Sequence, residues 1–140
     1  MSSAAALYTP AVLALATSLS RYPLEDALTL RGTARSATCG STIELGLSCA
    51  ADGTITQLGL RTHACAIGQA AAALFAEHAV GKSAAQLAMA AAQVEAWLAG
   101  GAVLAWPGFE AIAAARDYPA RHGAVLLAWR AALVAMSAPR

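Results

Sequence analysis

Charged side chains are scarce in this 140-residue chain, and the two signs are nearly balanced. Nine lysine and arginine residues stand against eight aspartate and glutamate residues, so the net charge is +1 and only 12% of the residues are charged. The basic residues are scattered along the chain and form no run. Because nucleic-acid binding depends on clustered basic side chains, we expect no nucleic-acid partner.

Apolar stretches long enough to cross a membrane are also missing. A spanning helix needs about 18 apolar residues in a row, and the longest apolar windows are broken by Pro10, by Gln69 and Glu77, or by Arg130. Residues 11–20, AVLALATSLS, follow a proline and have no lysine or arginine before them, which is unlike a signal peptide. We therefore expect no membrane partner and a cytoplasmic location.

Cysteine occurs three times, and no two cysteines have the paired CxxC spacing of a zinc or cluster motif. An odd number of cysteines in a reducing compartment is more typical of thiols or metal ligands than of a disulfide framework. The carboxylates are widely spread, and no nucleophile stands with a base and an orienting group. The sequence therefore gives no indication of an enzyme.

Hydrophobic residues are abundant, at 59% of the chain. That content can fill one core, and 140 residues is a typical length for one domain. We therefore expect residues 1–140 to form a single domain. Because so few charges keep copies of the chain apart, we also expect a homo-oligomer if alanine-rich surface is exposed.

Strand-like alternation occupies the middle of the chain. Residues 41–49, STIELGLSC, alternate apolar and polar side chains, and Asp52-Gly53 is the favoured chemistry of a tight hairpin turn. Residues 54–64 should therefore return antiparallel, with a bulge or a late strand start because Ile55 is out of phase with the apolar face. A further edge strand is expected near residues 31–37.

Helical spacing surrounds these strands. The predicted helix starts are Thr9-Pro10, Cys65, Ser83, Pro107 and Pro119. The pattern predicts an α+β fold in which a small three-stranded antiparallel sheet packs against about five helices. The three tryptophans lie on helix faces or at helix ends and are expected in the core: Trp97, Trp106 and Trp129.

The three cysteines have different surroundings in this scheme. Cys49 is in phase with the apolar residues of its strand, so we expect it to be a small buried side chain. Cys39 precedes Gly40 between two strands. Cys65 stands at a helix N-terminus, where unpaired amides and the helix dipole favour thiolate, the form that binds metal or attacks sulfur.

Two segments resemble a known family. Residues 38–83 read TCGSTIELGLSCAADGTITQLGLRTHACAIGQAAAALFAEHAVGKS, and residues 118–129 read YPARHGAVLLAW. Both are similar to the iron-sulfur cluster assembly scaffolds of the IscU, SufU and NifU N-terminal family. The resemblance implies the family's fold. It also implies a cysteine desulfurase and recipient apo-proteins as partners. The bound group would be a transient [2Fe-2S] iron-sulfur cluster or zinc.

The same resemblance assigns residue positions. Cys39 and Cys65 match the first and second ligand cysteines, Ser41 stands where the family has an aspartate, and Ala124 stands at the third ligand cysteine. His122, two residues before Ala124, is a candidate substitute ligand, since imidazole binds zinc or one iron of a cluster. The predicted metal set is therefore Cys39, Cys65 and His122, with Cys39 as a possible sulfur acceptor.

Two interpretations of the function stay open. In the first, the chain is a scaffold or sulfur-relay protein that binds iron or zinc through its thiolates. In the second, it is a degenerate paralogue that keeps the fold and acts as a binding or regulatory module without assembling a cluster. His122 can equally be an ordinary residue at a helix start, and His63 is expected to be a solvated residue on a strand face.

Overall fold

The structure, a computed structural model, describes residues 7–101 and 104–137 of the chain. Its sheet has the order β1-β2-β3, with β1 at Leu30–Arg35, β2 at Thr42–Cys49 and β3 at Ile55–His63. Both neighbouring pairs are antiparallel. The predicted edge strand and the predicted three-stranded sheet are therefore confirmed.

The hairpin between β2 and β3 follows the turn chemistry of its sequence. The Asp52 carboxylate accepts hydrogen bonds from the backbone N–H of Thr54 at 3.0 Å and from its hydroxyl at 2.7 Å. Gly53 has a φ of 88°, a conformation that glycine adopts without strain. The predicted bulge is also present, because the register shifts at the strand ends, where Cys49 pairs with Ile55.

One face of the sheet packs against the core. Leu45 is fully buried and pairs with Leu60 of β3, which is 7% exposed. Arg61 and His63, on the opposite face of β3, are exposed. The period-2 alternation of the sequence therefore predicted correctly which side chains enter the core.

Helices lie before and after the sheet, and five helical elements of nine residues or more occur in the described ranges. They are α1 Pro10–Ser18, α2 Ala66–His78, α3 Ala84–Leu98, a 3₁₀ helix Phe109–Asp117 and α4 His122–Ser137. Two shorter 3₁₀ turns are Leu19–Arg21 and Pro119–Arg121. This matches the predicted α+β class with about five helices.

Two helix starts are capped as the sequence indicated. The hydroxyl of Thr9 accepts a hydrogen bond from the backbone N–H of Val12 at 3.2 Å. Ser83 and Gln86 form both hydrogen bonds of a capping box, at 3.2 and 2.8 Å. Each cap satisfies backbone N–H groups that have no partner within the helix, a contribution of about 1 kcal/mol.

Helix α4 is the centre of the core. It packs against β1 and β2 on one side and against α2 and α3 on the other, while α1 packs on α2. Trp129 of α4 is fully buried and makes edge contacts with Phe75 of α2 and with Trp106, at centroid distances of 5.3 and 5.2 Å. Trp97 is 8% exposed, so all three tryptophans are core residues, as predicted.

The alanine-rich helices differ in how much they bury. Alanines of α2 and α4 are almost entirely inside the core. Helix α3 instead exposes Met89, at 65%, together with several alanines. A homo-oligomer stays a prediction. Among the described residues, no helix combines the length and the apolar character needed to cross a membrane.

Close approach of α4 to the sheet depends on Gly32 in β1. A Cβ atom placed on Gly32 would lie 1.9 Å from the carbonyl oxygen of Ala131 and 2.7 Å from the amide nitrogen of Ala135. Both atoms belong to the α4 backbone, so they cannot move aside as a flexible side chain would. Only glycine lets the helix lie this close to the strand.

We predict that Gly32→Ala destabilises the fold. Alanine has the better strand propensity, but its methyl group would push α4 away from β1, and overpacking of this kind costs about 1–3 kcal/mol or more. Urea denaturation followed by tryptophan fluorescence measures the change, with Thr33→Ala on the exposed face as the matched control. A Gly32→Ala protein as stable as the Thr33→Ala protein would contradict this account of the packing.

Candidate thiol site

The loop between β1 and β2 is a short closed turn that carries Cys39. The backbone N–H of Ser36 donates to the carbonyl of Ser41 at 2.8 Å, and that of Gly40 donates to the carbonyl of Ser36 at 2.9 Å. Gly40 has a φ of 71°, which lets the chain turn directly after the cysteine. The loop therefore places Cys39 beyond the ends of β1 and β2, where its side chain is exposed.

Two buried serines hold the exposed sulfur. The Sγ atom of Cys39 lies 3.3 Å from the hydroxyl oxygen of Ser36 and 3.1 Å from that of Ser41. Ser36 is 2% exposed and Ser41 is 5% exposed, so both hydroxyls are held in place by the fold. Since a hydroxyl can rotate, each can accept from the thiol or donate to the thiolate.

This arrangement lowers the pKa of Cys39. The side-chain hydrogen bond with Ser36 is the largest cause and that with Ser41 the next. Burial, third in size, opposes them, and the backbone of Ser41 and the positive charge of Arg121 lower the pKa further. Hydrogen bonds donated to sulfur favour the charged form. Cys39 is therefore more readily a thiolate than an ordinary cysteine.

Cys65 lies at the N-terminus of α2, as predicted. It is the N-cap residue, with an extended backbone, and its side chain makes no hydrogen bond to the helix amides. Its carbonyl accepts from the N–H of Gln69 at 2.9 Å, which begins the helix. The sulfur is thus available for other contacts at the positive end of the helix dipole.

Arg121 connects the two thiols. Its side chain hydrogen-bonds with Cys65 and with Tyr8, and these two contacts, in that order, raise the pKa of the guanidinium. The same positive charge lowers the pKa of Cys39. Arg121, in the 3₁₀ turn just before α4, therefore contacts Cys65 and acts on Cys39 through its charge.

The start of α4 docks directly on the cysteine loop. The hydroxyl of Thr38 donates to the carbonyl of Ala120 at 3.0 Å. A Cβ atom on Gly123 would lie 2.5 Å from the hydroxyl of Ser36, so the helix reaches the serine only because residue 123 is glycine. Ala124 is 1% exposed and packs beside Gly68 in the first turn of α2. Three separate segments thus meet around the thiols.

Two solved structures share this architecture over nearly the whole chain. A nitrogen-fixing NifU-like protein, N-terminal, from Brucella abortus superposes with a TM-score of 0.80 at 27% identity over 94% of this chain and 96% of that chain. A putative iron-sulfur cluster assembly scaffold protein for the SUF system from Fervidobacterium islandicum has a TM-score of 0.79 at 18% identity, over 96% and 100%.

The chain has the fold of NifU-like and SufU scaffold proteins, as its sequence resemblance implied.

Other comparisons add little to this assignment. A hypothetical protein has the same fold, with a TM-score of 0.71 at 20% identity over 91% of this chain and 97% of that chain. No family model matches the sequence. No curated protein matches it either. The likeness to the NifU-like and SUF proteins therefore rests on the fold.

His122, the predicted third ligand, is turned toward the preceding 3₁₀ helix. Its Nε2 atom lies 3.1 Å from the carbonyl oxygen of Ala115 and 3.2 Å from that of Arg116. Within residues 7–101 and 104–137, no group of three or more histidine, cysteine, aspartate or glutamate side chains is arranged to hold a metal ion. The set Cys39, Cys65 and His122 stays a prediction.

The remaining residues singled out in the sequence have ordinary surroundings. His63 is exposed at the end of β3, as expected of a strand-face residue. Cys49 is partly buried and packs against the core instead of being fully enclosed. Neither side chain contributes to the thiol site.

Sequence reasoning missed the residues that surround the sulfur atoms. Ser36, Arg121 and Tyr8 were not proposed as site residues, and Ser41 was noted only for the aspartate it replaces. Arg121 could have been found, since the segment resembling the family's closing motif contains an arginine at this position. Ser36 and Tyr8 gave no comparable signal, because only the folded loop brings them to the thiols.

We predict that replacing both serines, Ser36→Ala with Ser41→Ala, raises the pKa of Cys39. At neutral pH a smaller fraction of Cys39 is then thiolate than in the parent protein, so alkylation of Cys39 slows several-fold. The rate of iodoacetamide addition to the Cys39 peptide, measured by mass spectrometry across pH, reports the change. Ser48→Ala in β2 is the matched control.

The same measurement ranks the causes of the lowered pKa of Cys39 by size. Arg121→Gln should move the alkylation profile of Cys39 in the same direction but less, because the charge of Arg121 is the smallest cause of the lowered pKa. A profile that the serine pair leaves unchanged, or that Arg121→Gln moves further than the serine pair does, would overturn the assignment of the serines.

Proposed function

We propose that the chain takes part in iron-sulfur cluster assembly as a scaffold or sulfur-relay protein, with Cys39 and Cys65 as its functional thiols. The observation that carries this proposal is the packing of the Cys39 loop on the start of α4, next to the turn whose Arg121 contacts Cys65. The fold neighbours named as a NifU-like protein and a SUF scaffold support it. A cytoplasmic location, and partnership with a cysteine desulfurase and with recipient apo-proteins, belong to the same proposal.

Cys39 is the residue suited to accept sulfur. It is exposed and more readily ionised than an ordinary cysteine. Its thiolate would attack the outer sulfur of a persulfide on the donor protein; a new S–S bond forms on Cys39, the donor's S–S bond breaks, and the donor cysteine leaves as thiolate. No external oxidant or reductant is needed, because the persulfide simply changes carriers.

The positive charge of Arg121 would assist this step. The attacking and leaving sulfurs share a negative charge during the transfer, and a fixed guanidinium stabilises such a charge. Arg121 contacts Cys65 directly, so it also keeps a cation beside the second thiol. A persulfide formed on Cys39 could then be held next to Cys65 for the following step.

The donor set of the site also suits zinc or the iron of a cluster. Thiolate sulfur and imidazole nitrogen are ligands that both metals prefer. Nε2 of His122 lies against two backbone carbonyls, which leaves Nδ1 as the ligand nitrogen. A metal-bound histidine commonly donates a hydrogen bond from its other ring nitrogen in this way. We propose Cys39, Cys65 and His122 as ligands of this cargo.

A second candidate function is that of a degenerate paralogue, a binding or regulatory module that assembles no cluster. It is favoured by Ala124, a buried methyl group at the position that the resemblance assigns to the third ligand cysteine. A [2Fe-2S] cluster needs four ligands, and Cys39, Cys65 and His122 supply three. A scaffold role therefore requires the fourth from the donor protein, a small thiol or a second copy of the chain.

Anaerobic reconstitution separates the two functions. The parent protein, supplied with iron, cysteine and a desulfurase, should retain iron and acid-labile sulfide, or zinc when zinc is offered. The double variant Cys39→Ser with Cys65→Ser should retain neither. His122→Ala should bind less than the parent if its imidazole is a ligand, and Cys49→Ser, in which only the remote thiol is removed, is the control.

Equal and negligible metal in the parent and the double variant would exclude the scaffold and favour the paralogue. Metal bound equally by both proteins would place the binding outside the thiol site. Measurements of iron, sulfide and zinc per chain by plasma emission and colorimetry distinguish these results.

A gain-of-function variant tests the role of residue 124. We predict that Ala124→Cys increases zinc affinity by at least about tenfold, or roughly 1.4 kcal/mol, because a third thiolate would join Cys39 and Cys65. Competition with a chromophoric chelator measures the affinity. Ala128→Cys, one turn further along α4 and buried, is the control; an equal gain in both variants would remove position 124 from the site.

A further inference from the structure

The sheet face opposite α4 is covered in part by residues 22–28. A Cβ atom on Gly59 would lie 2.0 Å from the carbonyl oxygen of Pro23, and the N–H of Leu60 donates to the carbonyl of Tyr22 at 2.9 Å. Another part of this face forms an open hollow of about 560 Å³. Its polar lining consists of Thr33, Arg35, Thr42, Glu44, Arg61 and His63.

The hollow carries an excess of positive charge. Glu44 is the single carboxylate of its lining, and it is shared between Arg61 and the neighbouring Arg31, each 3.6 Å away. Arg35 is exposed, and its side chain makes no hydrogen bond or ion pair with any residue of the described ranges. Arg31, Arg35 and Arg61 therefore stand near one glutamate, and within those ranges the side chain of Arg35 has no counter-charge.

The positive charge of the hollow lies at the end of the sheet that leads to Cys39 and Cys65. Arg35, Thr42 and His63 are paired across the three strands, in the last row of the sheet. The loop with Cys39 follows Arg35 in the chain, and Cys65 comes two residues after His63. A molecule seated in the hollow would thus touch the border of the thiol site.

We propose that the hollow is the docking surface for an acidic segment of the protein that delivers sulfur to Cys39; this identification of the occupant rests on the proposed function. Carboxylates of the segment would pair with Arg35 and with the exposed guanidinium of Arg61, which is 66% exposed. Complementary charge of this kind mainly accelerates and orients encounter. The donor's persulfide would approach Cys39 in one orientation.

A protein segment fits these observations better than nucleic acid does. The hollow itself offers two arginines, Arg35 and Arg61, and the net charge of the whole chain is only +1. A nucleic-acid surface would continue along a phosphate backbone as a longer basic stripe. The shallow hollow instead matches a few side chains of an extended peptide.

The test uses a fluorescein-labelled oligoglutamate of about ten residues, which spans roughly 35 Å when extended, with oligoglutamine as the uncharged control. Fluorescence anisotropy at low salt should show oligoglutamate binding to the full chain, and the binding should weaken as salt screens the charges. Arg35→Glu should reduce the affinity at least about fivefold, since it reverses an unpaired charge. Arg21→Glu, the same charge change at an exposed arginine away from the hollow, should have little effect.

Several results would overturn the proposal. These are equal binding of oligoglutamine and oligoglutamate, equal loss in Arg35→Glu and Arg21→Glu, or tighter binding of a short single-stranded DNA than of the peptide. Circular dichroism confirms that both variants are folded.

Peptide binding by a variant without the two thiols tests the docking surface independently of the proposed function. The variant Cys39→Ser with Cys65→Ser should bind oligoglutamate as the parent does, because docking uses the sheet face and not the thiols. Persistence of binding supports the docking surface even if reconstitution finds no metal or sulfide. Loss of binding in this variant would show that the peptide binds at the two cysteines and not in the hollow, which would contradict the proposal.

Discussion

The close approach of α4 to the rest of the molecule is the constraint on which the other features depend. Along its length the helix meets β1 at Gly32, and at its first turn it meets the cysteine loop at Ser36. Since α4 also packs on α2 and α3, its position fixes the sheet and the helical layer relative to each other. The preceding turn then holds Arg121 beside Cys65. Packing of small residues in the core therefore determines the geometry of the thiols at the surface.

The chemistry of the site relies on hydroxyl groups and one guanidinium. Ser36 and Ser41 are buried and lie beside the sulfur of Cys39, and their hydrogen bonds lower its pKa. This gives Cys39 the character of a nucleophile. Cys65, held by Arg121 at the start of a helix, is placed as its partner. A sulfur relay needs only these groups, whereas a complete cluster would need further ligands.

Much of the fold could be predicted from the sequence, because its signals are local. Alternation in β2 and β3, the Asp52 turn and the Ser83 cap each depend on residues a few positions apart, and all were located correctly. The site was harder to predict. Cys39 and Cys65 could be selected by resemblance, but the contacts of Ser36 and Arg121 arise only when distant segments pack together. The direction of the His122 ring likewise depends on the 3₁₀ helix that accepts its hydrogen bonds.

The most direct test of the central claim is to locate the sulfur itself. The protein would be incubated without oxygen with a cysteine desulfurase and free cysteine, trapped with an alkylating reagent and examined by peptide mass spectrometry. Our account predicts that the peptide containing Cys39 gains the mass of one sulfur atom, and that it does so more slowly in Arg121→Gln. Sulfur found only on Cys49, or equally on all three cysteines, would contradict the view that the loop, α2 and α4 form a thiol site for sulfur transfer.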